Sequence, residues 1–252
     1  MKITKTKIPS SKGNLSAAIH YPENKTEKLA ILCPGYLDSK DYKHLVGLAE
    51  ALSSQGYTAV RFDPTGTWES EGNISDYTTT QYLEDIKNVL EYMLKQAEYE
   101  HILVGGHSRG GQVSLLYAAR DPRVSIVLGI MPSSRSMTAK LYLFEEWKKT
   151  GFRISKRDLP DNKEQKIEFR VPFSHAEDLE RYDVIKEVKK VKAAVVLIAG
   201  ELDETVPQES VKEVFDNANE PKKIILMPNM GHDYRHDDSE IGSLNKKIME
   251  NI

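Results

Sequence analysis

The sequence predicts an α/β fold, a mostly parallel sheet with helices on both faces. Two observations carry that prediction. Short apolar runs alternate with amphipathic helical patterns along most of the chain. The runs at 29–33 and 58–62 are short and largely apolar, as suits strands buried on both sides. A length of 252 residues fits one domain, 1–252, carrying an insertion.

Residues 3–8 and 15–21 flank the turn-rich Ser10-Ser11-Lys12-Gly13-Asn14 and predict an opening antiparallel hairpin. After the run at 29–33, Leu45, Leu48, Ala49 and Leu52 repeat at helical spacing, with Gly56 placed to end the helix. The strand at 58–62 precedes a long helix over 79–96. Its apolar face is Tyr82, Leu83, Ile86, Val89, Leu90, Met93 and Leu94, and Thr78 with Gln81 suggests a capping box. A strand at 102–105, a helix at 110–120 and a strand at 124–130 follow. The series resumes with a strand at 193–199, a helix at 208–218, a strand at 223–227 and a helix from about Ile241.

The alternation breaks over 131–192, too long for an ordinary connection between two sheet strands, and this segment is expected to form a small cap. Residues 137–149 read as a helix turning Met137, Leu141, Phe144 and Trp147 or Lys148 to one side. Residues 152–154 and 167–171 read as a β-hairpin around 158–162. The aromatic content of the segment (Tyr142, Phe144, Trp147, Phe152, Phe169, Phe173) favours a functional cap over a surface ornament.

Composition narrows the functional classes. A formal net charge of −3 gives no electrostatic ground for binding nucleic acid or an anionic membrane. The single Cys33 forms no internal disulfide. Neither a signal-peptide pattern nor a membrane-length apolar run is present, and a cytoplasmic location is the expectation.

Gly106-His107-Ser108-Arg109-Gly110 matches G-x-S-x-G between a predicted strand and a predicted helix. That context demands a sharp turn projecting the serine oxygen above the sheet, which marks Ser108 as a nucleophile. A serine hydroxyl needs a base to take its proton and an acid to orient the base, here expected in the order serine, acid, histidine. Asp203 follows the strand at 193–199, with Glu201 and Glu204 as competitors, and His232 follows the strand at 223–227. His107 is expected to pack locally, and His20, His44, His101 and His175 to be surface or packing residues. His232, Asp233, His236 and Asp237 superficially suggest a metal site, but a histidine loop with solvated acids explains them better, and no metal is expected. Backbone N–H groups of Arg109 and Tyr36 are the expected oxyanion donors, since Pro34 has none.

These features resemble the α/β-hydrolase superfamily, in particular its small esterase branch with cinnamoyl (feruloyl) esterases and serine aminopeptidase-like proteins. The resemblance rests on residues 33–41, on 61–72, on the serine motif and on the Asp203 and His232 loops. It implies a serine hydrolase acting on a small-molecule carboxylic ester of a small acyl or aryl acid through an acyl-enzyme, without cofactor. It also implies an insertion that covers the site and shapes its pocket. A peptidase, amidase or thioesterase with the same triad, and a non-catalytic binding protein on this fold, are the alternatives; homo-oligomerisation stays open. The chain departs from the family at Pro34-Gly35, where His-Gly is usual, and at Gly66-Thr67-Trp68-Glu69-Ser70. Trp68 is read equally as a pocket residue or as packing. Arg109 is expected to pair with a nearby acid, the lesser reading being recognition of a substrate carboxylate.

Overall fold

The computed structural model describes residues 2–134 and 141–252. Lys2–Ser10 (β1) and Gly13–Tyr21 (β2) make the opening hairpin, paired antiparallel from Lys2↔Tyr21 to Ser10↔Gly13. Lys28–Cys33 (β3), helix Lys43–Ser54 (α1), Thr58–Phe62 (β4) and helix Thr79–Leu94 (α2) follow. Next come His101–His107 (β5), helix Arg109–Ala118 (α3) and Val124–Ile130 (β6). Between β6 and the next sheet strand lie Leu141–Thr150 (α4), a hairpin of Phe152–Leu159 (β7) and Asn162–Pro172 (β8), and the short helices Ser174–Leu179 (α5) and Val184–Val188 (α6). Ala194–Gly200 (β9), Gln208–Asn217 (α7), Lys222–Met227 (β10) and Asp238–Met249 (α8) complete the chain.

The main sheet has the order β1-β2-β4-β3-β5-β6-β9-β10 and is parallel from β4 onward, with β1 and β2 antiparallel at one edge. Strand periodicity divides the core. Leu29, Ile31 and Cys33 of β3 face one apolar cluster, with α2, α3 and α7. Ala30 and Leu32 face the other, with α1 and α8. Helices therefore cover both faces, as the sequence predicts. No helix among the described residues is long and apolar enough to cross a membrane.

Several boundaries move for local reasons. The last helix starts at Asp238, three residues before the expected Ile241, because the Asp237 side chain accepts the Ser239 and Glu240 N–H groups. Thr78 caps α2 by accepting from Gln81 N, but the Gln81 side chain bonds Asp85 instead of reaching back, so only half the capping box forms. The inserted hairpin is longer than its apolar residues suggested. Its outer half is charged, with the exposed pair Lys156–Glu168 among its contacts, and so shows no apolar signal. Of the helix expected over 137–149, Met137 lies outside the described residues.

One buried network ties together the loops that follow β3 and β4. The Lys40 ammonium is fully buried and meets Asp63 (3.1 Å), Asp41 (2.9 Å) and Glu69 (2.6 Å). Burial alone would lower its pKa, but the three carboxylates more than reverse this and hold the ammonium charged. Arg61 bridges Asp41 to His20 and to the Lys40 carbonyl.

Candidate active site

All five non-glycine residues with positive φ among the described residues follow the carboxyl ends of sheet strands. They are Leu37 after β3, Trp68 after β4, Ser108 after β5, Met131 after β6 and Asn229 after β10. Strained backbone thus gathers at the edge where open α/β sheets bind ligands.

Ser108 sits between β5 and α3 at φ 54°, ψ −118°. The turn is possible only because the residues two positions before and after Ser108, Gly106 and Gly110, lack side chains. A Cβ on Gly106 would lie 2.1 Å from the Cys33 carbonyl oxygen, and one on Gly110 only 1.9 Å from the same atom. Ser108 N donates to Ile130 O at 2.8 Å, fixing the turn to β6.

The residues expected around Ser108 come together. His232 Nε2 is 3.0 Å from Ser108 Oγ, and His232 Nδ1 is 2.7 Å from Asp203 Oδ2. A carboxylate only accepts, so Nδ1 carries the proton and the Nε2 lone pair faces the serine hydroxyl. The other Asp203 oxygen accepts from Thr205 N (2.9 Å) and Val206 N (2.7 Å), and the Asp203 side chain is fully buried. The competing acids lie elsewhere: Glu201 accepts from Asn229 N at 2.8 Å, and Glu204 is exposed.

Arg109 is the first residue of α3, and Tyr36 stands in the loop after β3. Neither backbone N–H has a hydrogen-bond partner among the described residues. The Tyr36 loop is held from several sides. Leu37 N donates to Tyr77 Oη (3.0 Å), Trp68 Nε1 donates to Leu37 O (3.0 Å), and Tyr82 Oη donates to Pro34 O (2.8 Å). Trp68 also packs edge-on against Tyr42 and against Phe169 of β8. Its indole therefore braces the loop.

Sequence reasoning missed the clamp between this loop and the inserted hairpin. Arg157 of β7 donates to Tyr36 O through Nε (3.1 Å) and Nη2 (2.7 Å). Next to it the buried Asp38 carboxylate faces Arg157 (3.6 Å) and Arg235 (3.5 Å). Burial raises the Asp38 pKa, and the two arginines oppose that rise. Asp158 takes Arg235 (3.1 Å) and His236, while its carbonyl accepts from Tyr42 Oη at 2.7 Å. The inserted hairpin is thereby pinned over both the Tyr36 loop and the His232 loop. The only sequence signal was the arginines themselves.

His107 packs beside His232 with ring centroids 4.6 Å apart, in a cluster with His44 and Tyr234. Burial pushes the His107 pKa well below its usual value, with the charges of His232, His44 and Arg235 acting in the same direction, so it adds no positive charge beside His232. His44 is pulled down to about 3, first by burial. His20, His44 and His175 are all buried, hence packing residues, whereas His101 is exposed.

Asp38, His44 and His107 offer ligand atoms within 4.8 Å of one another. The donor set suits a cation poorly, because its one carboxylate already faces two guanidinium groups that would repel the ion. The suspected cluster at 232–237 is divided among separate tasks. His232 meets Asp203, His236 meets Asp158, Asp233 meets Arg235 and Asp237 caps α8.

The expected pairing of Arg109 with an acid does not form. Its Nη1 lies 3.1 Å from His175 Nε2, its Nη2 makes a 3.4 Å contact with Thr79 Oγ1, and the guanidinium stacks on Tyr77. The groups it contacts on α2 and α5, Thr79 and His175, are neutral, and no carboxylate pairs with it among the described residues.

This strand order, with a strained serine between β5 and α3, defines an α/β-hydrolase. Residues 24–184 match the Hydrolase_4 family, described as serine aminopeptidase, S33, and the chain belongs to that family. The match includes Ser108 but ends before Asp203 and His232. The chain is 28% identical over 203 residues to the Mus musculus protein named palmitoyl-protein thioesterase ABHD10, mitochondrial; 80% of this chain and 67% of that protein are covered. It spans 60% of the Homo sapiens counterpart at 26% identity. An Escherichia coli protein, described as an uncharacterized 31.7 kDa protein in the traX-finO intergenic region, is 27% identical with 86% of each chain covered. Among solved structures, Est1E from Butyrivibrio proteoclasticus with ferulic acid bound superposes with a TM-score of 0.76 at 23% identity, covering 97% of this chain and 98% of that one. Mouse α/β hydrolase domain-containing protein 10 gives 0.76 at 23% identity, covering 98% and 97%. At these identities the structural likeness establishes the fold.

Proposed function

We propose that the protein is a serine esterase that hydrolyses carboxylic esters of small acyl or aryl acids through an acyl-enzyme. The observation that carries this reading is the unbroken chain Asp203 Oδ2···His232 Nδ1, His232 Nε2···Ser108 Oγ, at 2.7 and 3.0 Å. In this reading His232 Nε2 takes the Ser108 proton as Oγ attacks the ester carbonyl. Asp203, held by two backbone N–H groups, keeps the imidazole in the required tautomer and stabilises the imidazolium that forms. The Tyr36 and Arg109 N–H groups receive the developing oxyanion. His232 then protonates the leaving alcohol and activates a water that frees the acid. The inserted segment 131–192 acts as a cap, with the clamp from Arg157 and Asp158 securing it over the site.

A thioesterase reading is favoured by one specific finding, the mammalian relatives named palmitoyl-protein thioesterases. The attack is the same and only the leaving group differs. The esterase reading carries a cytoplasmic location and a small-molecule ester as partner, which cell fractionation and substrate profiling test. The central experiment is a panel of esters, thioesters and aminoacyl amides assayed with wild type and Ser108→Ala. Ester turnover that disappears in Ser108→Ala, with fluorophosphonate labelling of Ser108, is the expected result. Wild-type rates in Ser108→Ala would overturn the assignment.

A further inference from the structure

Arg109 directly follows Ser108, and only 6% of it is exposed. A guanidinium stays charged inside a protein, so burying one is costly unless an anion or a full set of acceptors replaces its water. Arg109 has neither. Its partners are a neutral imidazole, a distant hydroxyl and an aromatic face. His175 cannot supply charge, because its Nδ1–H donates to Tyr77 O at 2.6 Å and burial, reinforced by Arg109, holds its pKa well below the usual value. Among the described residues no Asp or Glu pairs with Arg109, and Met1 and residues 135–140 include no acid.

One donor remains unused. Arg109 Nε is buried without a partner. Nε together with Nη2 forms the edge of a guanidinium that grips a carboxylate side-on. The Tyr36 hydroxyl is buried as well, beside the Ser155 side chain. Burial raises its pKa, tempered by Ser155 and by the positive charges of Arg109, Arg153 and Arg157. Arg109 Nε is thus an unsatisfied donor, and the positive charges that act on the Tyr36 hydroxyl mark a region of positive potential around it.

We propose that Arg109 forms an acid-recognition subsite, and that the preferred substrates are esters bearing a free carboxylate a short spacer away from the scissile carbonyl. The proposal rests on Ser108 being the nucleophile, and it names the substrate class of that site. The substrate brings the counter-charge that the chain withholds. A neutral ester leaves the guanidinium uncompensated, whereas an acid gains charge-assisted hydrogen bonds in a place of low dielectric.

The test compares kcat/KM for acid-bearing esters and their neutral counterparts. Monoethyl glutarate against diethyl glutarate places the acid on the acyl side; butyryl glycolate against its methyl ester places it on the alcohol side. Wild type is expected to favour the acid by about tenfold or more in one arm. The ratio should fall towards one in Arg109→Met and survive in part in Arg109→Lys, which keeps the charge but not the fork. Calorimetric titration of glutarate into Ser108→Ala and into Ser108→Ala/Arg109→Met reads the subsite without turnover, and binding should be lost in the double variant. A wild-type ratio of one or below in both arms, or an unchanged ratio in Arg109→Met, overturns the subsite while leaving the esterase reading intact. Arg109-dependent glutarate binding without hydrolysis of any ester removes the esterase reading and keeps the subsite. Should Arg109→Met fail to fold, the wild-type ratio and the Lys variant decide.

Discussion

Replacing Asp203 by asparagine changes no shape and only one donor, yet it should nearly abolish turnover. The Asp203 oxygen that holds Thr205 N (2.9 Å) and Val206 N (2.7 Å) must stay an acceptor, so the oxygen of the new amide remains there. Its NH2 group is then directed at His232 Nδ1, across the 2.7 Å contact now made by the carboxylate. Nδ1 becomes the acceptor and the imidazole proton moves to Nε2, 3.0 Å from Ser108 Oγ. In that tautomer His232 cannot take the serine proton. The expected loss in kcat is about 10⁴-fold, the size found when a triad acid is made neutral with its geometry intact, or about 5 kcal/mol of activation free energy. KM should change little, because the Asp203 side chain is fully buried behind the imidazole. Steady-state hydrolysis of a short p-nitrophenyl ester checks this, with Ser108→Ala as the background and circular dichroism to verify folding. An Asp203→Asn protein within tenfold of wild-type kcat would refute the tautomer argument.

Three further outcomes follow from other parts of the molecule. Arg157→Ala frees the Tyr36 carbonyl and should lower kcat by about tenfold with KM within about twofold, Arg157→Lys restoring part; an unchanged kcat would show that the clamp does not position the loop. Burial lowers the pKa of His44 to about 3 and, with help from Arg61, that of His20 to about 4. The unfolded chain takes up these protons near pH 6.5 while the fold does not, so stability should decline as pH drops from about 6.5 towards 4, by up to about 1.4 kcal/mol per pH unit for each histidine. Urea midpoints at pH 7 and pH 5 measure that slope, which His44→Phe should flatten; equal midpoints for the parent protein would contradict it. Gly110→Ala drives a Cβ to within 1.9 Å of the Cys33 carbonyl and 2.7 Å of the Pro34 carbonyl, both backbone atoms. A loss of more than about 3 kcal/mol in a thermal or urea melt is expected, and a melting temperature equal to wild type would mean that the turn relaxes freely.

Much of the fold was legible because burying a parallel sheet on both faces demands short apolar runs, and helices over it demand a stripe. Leu29, Ile31 and Cys33 against Ala30 and Leu32 show that requirement directly. The serine turn was legible because a G-x-S-x-G turn leaves no room for side chains on its glycines. The hairpin limits were less legible, since charged outer residues such as Lys156 and Glu168 carry no burial pattern. The acid partner assigned to Arg109 was a wrong expectation of another sort. Acids are abundant in the chain, but those near in sequence are not those near in space.

By itself, the order of residues determined the sheet class, the serine turn and the strand-end positions of Asp203 and His232, because local stereochemistry and burial period leave marks on neighbouring residues. The tertiary structure alone decided what each buried polar group faces. Arg157 meets Tyr36 across 121 positions, His232 meets Ser108 across 124, and Arg109 meets His175 in place of an acid. Such partnerships arise when distant segments close on each other, and the cost of an unpaired buried charge is set by that closure and by no local pattern.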